Sequence, residues 1–196
     1  MKNLPPLFTA LALIAALVAA RPAVAADRDT LFQYSTIDSL LAGLYDGDLT
    51  VADIRTLGNF GLGTFNGLDG EMIVLDSAVF QAQGEGVVRR ASPTTGVPFT
   101  SVTFFDADKT AALPAGVDIR KLEALLDELA PNQNIYHAIR IDGAFDKVSL
   151  RVAPKQNKPY APLAEIISQQ TTFELTDVKG TLVGIRAPKY LTGLNV

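Results

Sequence analysis

The sequence predicts an α+β fold, a mixed or antiparallel β-sheet accompanied by a few short helices. Three patterns point there. Short β-rich runs such as 71–75 and 145–152 are separated by turn dipeptides, among them Asn66-Gly67, Asp69-Gly70 and Asp76-Ser77, which is meander punctuation. Only one stretch, Ile119 to Leu129, holds a long helical apolar period, with Ile119, Leu122, Leu125, Leu126 and Leu129 on one face. No low-complexity linker divides the chain, and strands cluster apart from helices rather than alternating with them, which disfavours a doubly wound parallel sheet.

Taken in order, the elements have local causes. Ser35 is placed to cap a short helix through Ile37, Leu40, Leu41 and Leu44, and Tyr45-Asp46-Gly47-Asp48 is a turn. Thr50 caps a second helix with Asp53 at its third position, and Gly58 follows its last residue. Strands are expected over 71–75, 78–81, 85–91 and 99–105. Asp118 caps the amphipathic helix and Pro131 ends it. A strand over 135–141 carries Ile135, His137, Ile139 and Ile141 on one face. Asp142-Gly143 is read as a turn into a second strand over 145–152, where Val148, Leu150 and Val152 alternate with Lys147, Ser149 and Arg151. Residues 154–162 form a proline- and lysine-rich loop, Pro162 opens a short helix, and two further strands fall near 172–175 and 180–187. The five-residue echo between GTFNG (63–67) and GTLVG (180–184) is too short to establish a duplication.

Composition narrows the function. The 196 residues are 48% hydrophobic and 19% charged, with a formal net charge of −4. That is a globular composition, and a mild acidic balance disfavours nucleic acid as the partner. Arg89, Arg90, Lys155 and Lys158 form no basic run and read as solvated surface. The chain has no cysteine and one histidine, so disulfides, thiolate chemistry and a histidine-based metal site within it are excluded. The N-terminus has Lys2, a 14-residue apolar run over 7–20, the break Arg21-Pro22 and the small-residue pattern Ala23-Val24-Ala25. This is an export signal rather than a stable membrane anchor, since a spanning helix needs about 20 apolar residues. Residues 1–25 are thus read as a signal peptide and 26–196 as one domain, exported to the periplasm or the medium.

The most informative stretch is Leu57 to Gln81. Gly58, Gly61 and Gly63 would let a ligand approach the backbone closely, and two turn dipeptides follow. Glu71 then opens a strand on the same face as Ile73 and Leu75. A carboxylate on an apolar face is either part of a site or a strand-end group that reaches water. Arg151 has an ordinary solvated reading, and Thr64 could simply hydrogen-bond backbone. His137, on an isoleucine face, reads as a satisfied or partly exposed core histidine and not as a ligand.

The run GLGTFNGLDGEM (61–72), the segment YHAIRIDGAFDKVSLRVAPKQNKPYAPL (136–163) and the run VKGTLVGIRA (178–187) resemble the alpha-acetolactate decarboxylase family. The resemblance covers nearly all of the chain after residue 30. It implies two sheet subdomains, of which the second is incomplete here, and a zinc-dependent lyase that turns 2-acetolactate into acetoin. It implies catalytic roles for Glu71 and Arg151, with Arg151 gripping the substrate carboxylate and Glu71 either near the metal or relaying a proton. It places Thr64 in the substrate pocket. In the family three histidines hold the zinc, beginning in a Gly-Tyr-His-x-His element after the counterpart of 191–196. The expectation is a chain truncated before its metal ligands, which binds zinc weakly and does not measurably decarboxylate. The partner is a small-molecule substrate, with a homodimer possible. The other reading is a non-catalytic exported protein that binds a ligand or partner chain on the same scaffold.

The leader generates the first test. The mature chain is expected to begin at or near Ala26, and the intact mass of the exported protein decides it; a mass that retains residues 1–25 contradicts the signal-peptide reading.

Overall fold

The computed structural model describes residues 29–191. The signal segment and its cleavage point lie outside the described residues. Ten strands and four helices follow one another as β1 (Leu31–Tyr34), α1 (Ile37–Leu41), β2 (Leu49–Thr50), α2 (Val51–Leu57), β3 (Phe60–Thr64), β4 (Glu71–Leu75), β5 (Ala78–Ala82), β6 (Val88–Arg90), β7 (Gly96–Val97), β8 (Phe99–Thr103), α3 (Ile119–Leu129), β9 (His137–Val152), α4 (Leu163–Ile167) and β10 (Thr171–Arg186). Single turns of 3-10 helix lie at Asn66–Leu68 and Lys189–Leu191. The main sheet is antiparallel in the order β1-β8-β3-β4-β5-β6, and two separate pairs, β9–β10 and β2–β7, complete the described strands. The α+β expectation holds. Among the described residues no helix is long and apolar enough to cross a membrane.

Two cores form on this frame. Met72 and Val74 of β4, Val79 of β5 and Val102 of β8 pack with Val51 and Ile54 of α2, Phe65 and Val97. The alternate residues of β4, Glu71, Ile73 and Leu75, are only half-buried. Helix α2 is seated by the capping box read from sequence: the Asp53 N–H donates to the Thr50 hydroxyl at 3.4 Å, and the Thr50 N–H donates to the Asp53 carboxylate at 2.9 Å. A second core joins Leu40 of α1, Tyr45, Leu68, Phe99, Ala153 and Ile166 of α4, with Tyr160 and Leu163 at its margin.

Several sequence readings are corrected. Ser35 does not cap α1. It sits at φ +65°, whereas an N-cap needs extended backbone, and Thr36 (φ −129°) takes the role, accepting the Ser39 N–H at 3.2 Å. Strand β1 was not foreseen. Asp142-Gly143 is not a turn, and 137–152 is one continuous strand that pairs with the equally continuous β10 along its length except at Asp146 and Asp177. Gly143 faces Gly180 across the ladder, and the Asp142 carboxylate accepts from Arg140 Nε at 2.8 Å and from the Thr181 hydroxyl at 2.6 Å. The Asp142 side chain is thus held both along its own strand and across the ladder. Nor are GTFNG and GTLVG equivalent: the first leaves β3 for a turn, while the second lies within β10.

The glycines before Glu71 also serve a different purpose from the one expected. A Cβ at Gly63 would collide with the Phe99 carbonyl oxygen and lie 2.7 Å from Met72 Cε. The close approach is thus to the protein's own neighbouring strands, not to a ligand. Val183 and Ile185 of β10 are half-buried, and β10 pairs only with β9 among the described strands. Leu150, Leu175 and Leu182 on the ribbon remain exposed.

The contrast between two strand glycines is testable. Gly63→Ala must displace backbone and is expected to cost about 1–3 kcal/mol, as overpacking does. At Gly143, where nothing lies within 4 Å of an added Cβ, the same change should stay within about 0.5 kcal/mol. Urea unfolding midpoints measure both, and equal midpoints would contradict the packing described.

Candidate active site

The site is built on the reversal between β3 and β4. Thr64 closes β3, directly opposite Glu71 on β4 and Phe99 on β8. It is buried, and its hydroxyl donates to the Gly70 carbonyl at 2.8 Å. Thr64 therefore buttresses the turn that delivers Glu71. Asn66 ties the same turn to Gly47, accepting the Gly47 N–H at 2.9 Å and donating to its carbonyl at 3.2 Å. Gly67 at φ +71° adopts the left-handed conformation that the reversal requires.

Onto this turn comes the chain segment that leaves β9. The Ala153 N–H donates to the Glu71 carboxylate. The Gln156 N–H donates to the Gly67 carbonyl at 2.6 Å. Between these two bonds, Lys155 Nζ meets the Asp69 carboxylate at 3.2 Å. Gln83 Nε2 donates to the other Asp69 carboxylate oxygen at 2.8 Å, and Gln81 Nε2 donates to the Asp69 carbonyl. The loop continues to the second core: the Tyr160 hydroxyl donates to Asp46 at 2.9 Å, Lys158 pairs with Asp46 at 2.6 Å, and the Tyr45 hydroxyl donates to the Ala161 carbonyl at 2.8 Å. Lys155 and Lys158 are thus not the merely solvated lysines read from sequence. Each is a tether with an exposed stem and an acidic partner. The reading of Arg89 and Arg90 is likewise refined: Arg89 Nε donates to Gln81 at 3.2 Å, and Arg90 lies 5.5 Å from the Phe80 ring centroid.

The two carboxylates of the turn differ electrostatically. Burial pushes the Glu71 carboxyl above the usual carboxylate range, and the single N–H from Ala153 only partly offsets this. Burial pushes Asp69 the same way, but hydrogen bonds from Gln83 and Lys155, with the lysine's charge, outweigh it and hold Asp69 below that range. The affinity for a proton is raised at one carboxyl and lowered at its near neighbour.

Arg151 lies two residues before Ala153, opposite Thr172 of β10, with an exposed side chain. The fold therefore brings Glu71 to the backbone beside Arg151, although 80 positions separate the two in sequence. Glu71 and Arg151 form no ion pair among the described residues. His137 sits at the other end of β9, opposite Arg186, and its Nε2 bonds the Asn132 carbonyl at 2.7 Å. Among the described residues no three histidine, cysteine or acidic side chains are grouped to hold a metal ion. Glu71 offers carboxylate oxygens and nothing beside it completes a shell, so the described residues do not fit a zinc ion. Two clefts, one lined by Arg55, Ser77 and Arg90 and the other between α3 and its preceding loop, include neither Glu71 nor Arg151. Sequence reasoning missed Asp69, Gln83 and Ala153. Asp69 was visible only as a turn former, and nothing local announces a partner 86 positions away.

Comparison with known proteins gives this arrangement a lineage. A family model described as alpha-acetolactate decarboxylase matches residues 31–196. The alpha-acetolactate decarboxylase of Methanosarcina mazei is 46% identical over 168 residues, 86% of this chain and 58% of that protein. That of Methylococcus capsulatus is 43% identical over 166 residues, 85% of this chain and 64% of the relative. This chain thus spans about three fifths of the length of these curated relatives. Among solved structures, the alpha-acetolactate decarboxylase of Bacillus subtilis superposes with a TM-score of 0.83 at 39% identity, over 85% of this chain and 71% of that one. The motifs around Glu71 and Arg151 lie inside the matched region, and on the strength of that match the chain belongs to the alpha-acetolactate decarboxylase family.

Proposed function

We propose that this chain carries the carboxylate-orienting and proton-transfer part of a site that decarboxylates 2-acetolactate to acetoin. The observation that carries the reading is the attachment of Glu71, a carboxyl whose affinity for a proton is raised by burial, to the backbone two residues from Arg151, in a chain of this family. Arg151 binds the substrate carboxylate, because a planar guanidinium can offer it two parallel hydrogen bonds. Decarboxylation breaks the bond between that carboxylate and the hydroxyl-bearing carbon. Carbon dioxide leaves, and the bonding pair passes into the neighbouring ketone as an enolate. Protonated Glu71 returns a proton to the carbon, giving acetoin and the Glu71 carboxylate, and water reprotonates the acid. Burial suits this role, since a carboxyl that keeps its proton nearer neutrality is a better donor there. Thr64 holds the turn from beneath. Zinc, implied by the family resemblance, has no fitting ligand set among the described residues, and no step is derived through it. Export by way of residues 1–25 belongs to the same reading.

Binding of a stable analogue tests the substrate assignment. An analogue with the ketone reduced to an alcohol cannot delocalise the electron pair and so does not decarboxylate. The 196-residue chain is expected to bind it, and Arg151→Lys should weaken binding about tenfold or more, in keeping with the loss of a charge-assisted bond. Ligand-observed NMR titration reads both. No binding by the unaltered chain, or equal binding by Arg151→Lys, contradicts the assignment.

The acid assignment has its own test in stability against pH. A carboxyl raised on folding binds its proton more tightly in the folded state than in the unfolded chain. Its contribution is favourable below the unfolded value, about 4.3, and is lost as pH rises through the higher folded value. Glu71→Gln removes this titration while keeping a carbonyl to accept the Ala153 N–H. The variant should therefore gain stability relative to the parent as pH rises from acid to neutral. Urea midpoints across that range measure it, and a difference that does not vary with pH would show that Glu71 does not retain its proton.

A further inference from the structure

We propose that Asp69, through its ion pair with Lys155, is a positioning residue that fixes Ala153, and with it Arg151, against Glu71; this rests on the site reading given above. Three tethers join the turn to the segment leaving β9, and they run in antiparallel order: Gly67 to Gln156, Asp69 to Lys155, Glu71 to Ala153. The outer two use a backbone N–H of the incoming segment, so they constrain the backbone only where they fall. The central one joins two charged side chains, and it is the one locked from a third direction. Gln83 holds the second Asp69 carboxylate oxygen, and Gln81, itself buried, holds the Asp69 carbonyl. The Asp69 side chain is only 17% exposed, against 58% for Lys155. The acid is thus the fixed post, held in the turn before β4 by Gln81 and Gln83, and the lysine is the movable arm that comes to it. Asp69 does not touch the substrate in this account. It acts by setting how closely the Ala153 N–H and the Arg151 side chain stand to Glu71.

Such a role differs from general structural support. The second core holds the loop whether or not the ion pair forms, so losing the pair should loosen the Glu71–Ala153 bond without unfolding the sheet. The fitting measurement is hydrogen exchange of the Ala153 amide by NMR in the 196-residue chain, with β3 and β8 amides as internal controls. Lys155→Met, at the exposed end of the pair, and Asp69→Asn should each speed Ala153 exchange about two- to fivefold while the β3 and β8 amides stay put. Lys155→Arg, which keeps the cation, should restore slow exchange. Analogue binding should weaken in Lys155→Met and recover in Lys155→Arg. Unchanged Ala153 exchange in Lys155→Met overturns the positioning role, whatever Arg151→Lys does to binding. Exchange that rises in step with β3 and β8 also overturns it, because it marks a purely structural pair. Conversely, a shift at Ala153 alongside unaltered analogue binding in Arg151→Lys overturns the substrate reading while leaving the clamp on Ala153 intact.

Discussion

Attachment of residues 153–156 to the turn at 67–71 constrains everything that follows in the chain. Closing a loop of some 80 residues costs about 4 kcal/mol in chain entropy. An ion pair as exposed as Lys155–Asp69 returns about 0.2–1 kcal/mol, so it cannot hold the segment down. The second core can. Leu40, Tyr45, Leu68, Phe99 and Ile166 are each buried there beside Ala153, and a large apolar side chain contributes about 1.5–3 kcal/mol on full burial. Apolar burial supplies the stability, and the polar tethers decide where along the turn the segment rests.

The same attachment shapes the β9–β10 ribbon. Arg140 of β9 bonds Asp76 at 2.9 Å, just past one end of β4, while Ala153 bonds Glu71 at the other end. Thirteen residues of straight strand would span about 43 Å, whereas the five steps from Glu71 to Asp76 cover about 17 Å. Even with the reach of the arginine side chain a straight ribbon overshoots, so the ribbon curves between its two moorings. The facing pair Gly143 and Gly180, and Asp177 at φ +53°, lie in that interval. Beyond the first mooring, Arg186 of β10 pairs with Asp127 of α3, which ties the otherwise poorly buried helix to the ribbon.

Two acids two residues apart are shifted in opposite directions because the fold distributes donors unequally. Both lose solvent. Asp69 receives a lysine and a glutamine, so its charge is compensated, whereas Glu71 receives one backbone N–H and keeps its proton more readily. Divergent environments for neighbouring carboxyls are a recurrent way to separate an ionised structural group from a proton donor.

The sequence by itself determined the short-range features. The capping box of α2, the Asp118 cap of α3, the β4 alternation that puts Glu71 on one face with Ile73 and Leu75, and the turn chemistry before it all follow from residues within a few positions of one another. Its motifs also carried the family. Tertiary structure alone decided the rest, because the deciding partners are remote. The dipeptide Asp142-Gly143 has the local chemistry of a turn, but a partner strand some 40 residues on drew it into a ladder. The glycines at 61 and 63 look like openings for a ligand until β8 is laid against them. Lys155 looks solvated until Asp69 is brought to it, and Glu71 acquires its raised affinity for a proton only once the fold buries it. Propensity and capping are energies between neighbours in sequence and can be read there, whereas desolvation and ladder pairing depend on which distant segment arrives.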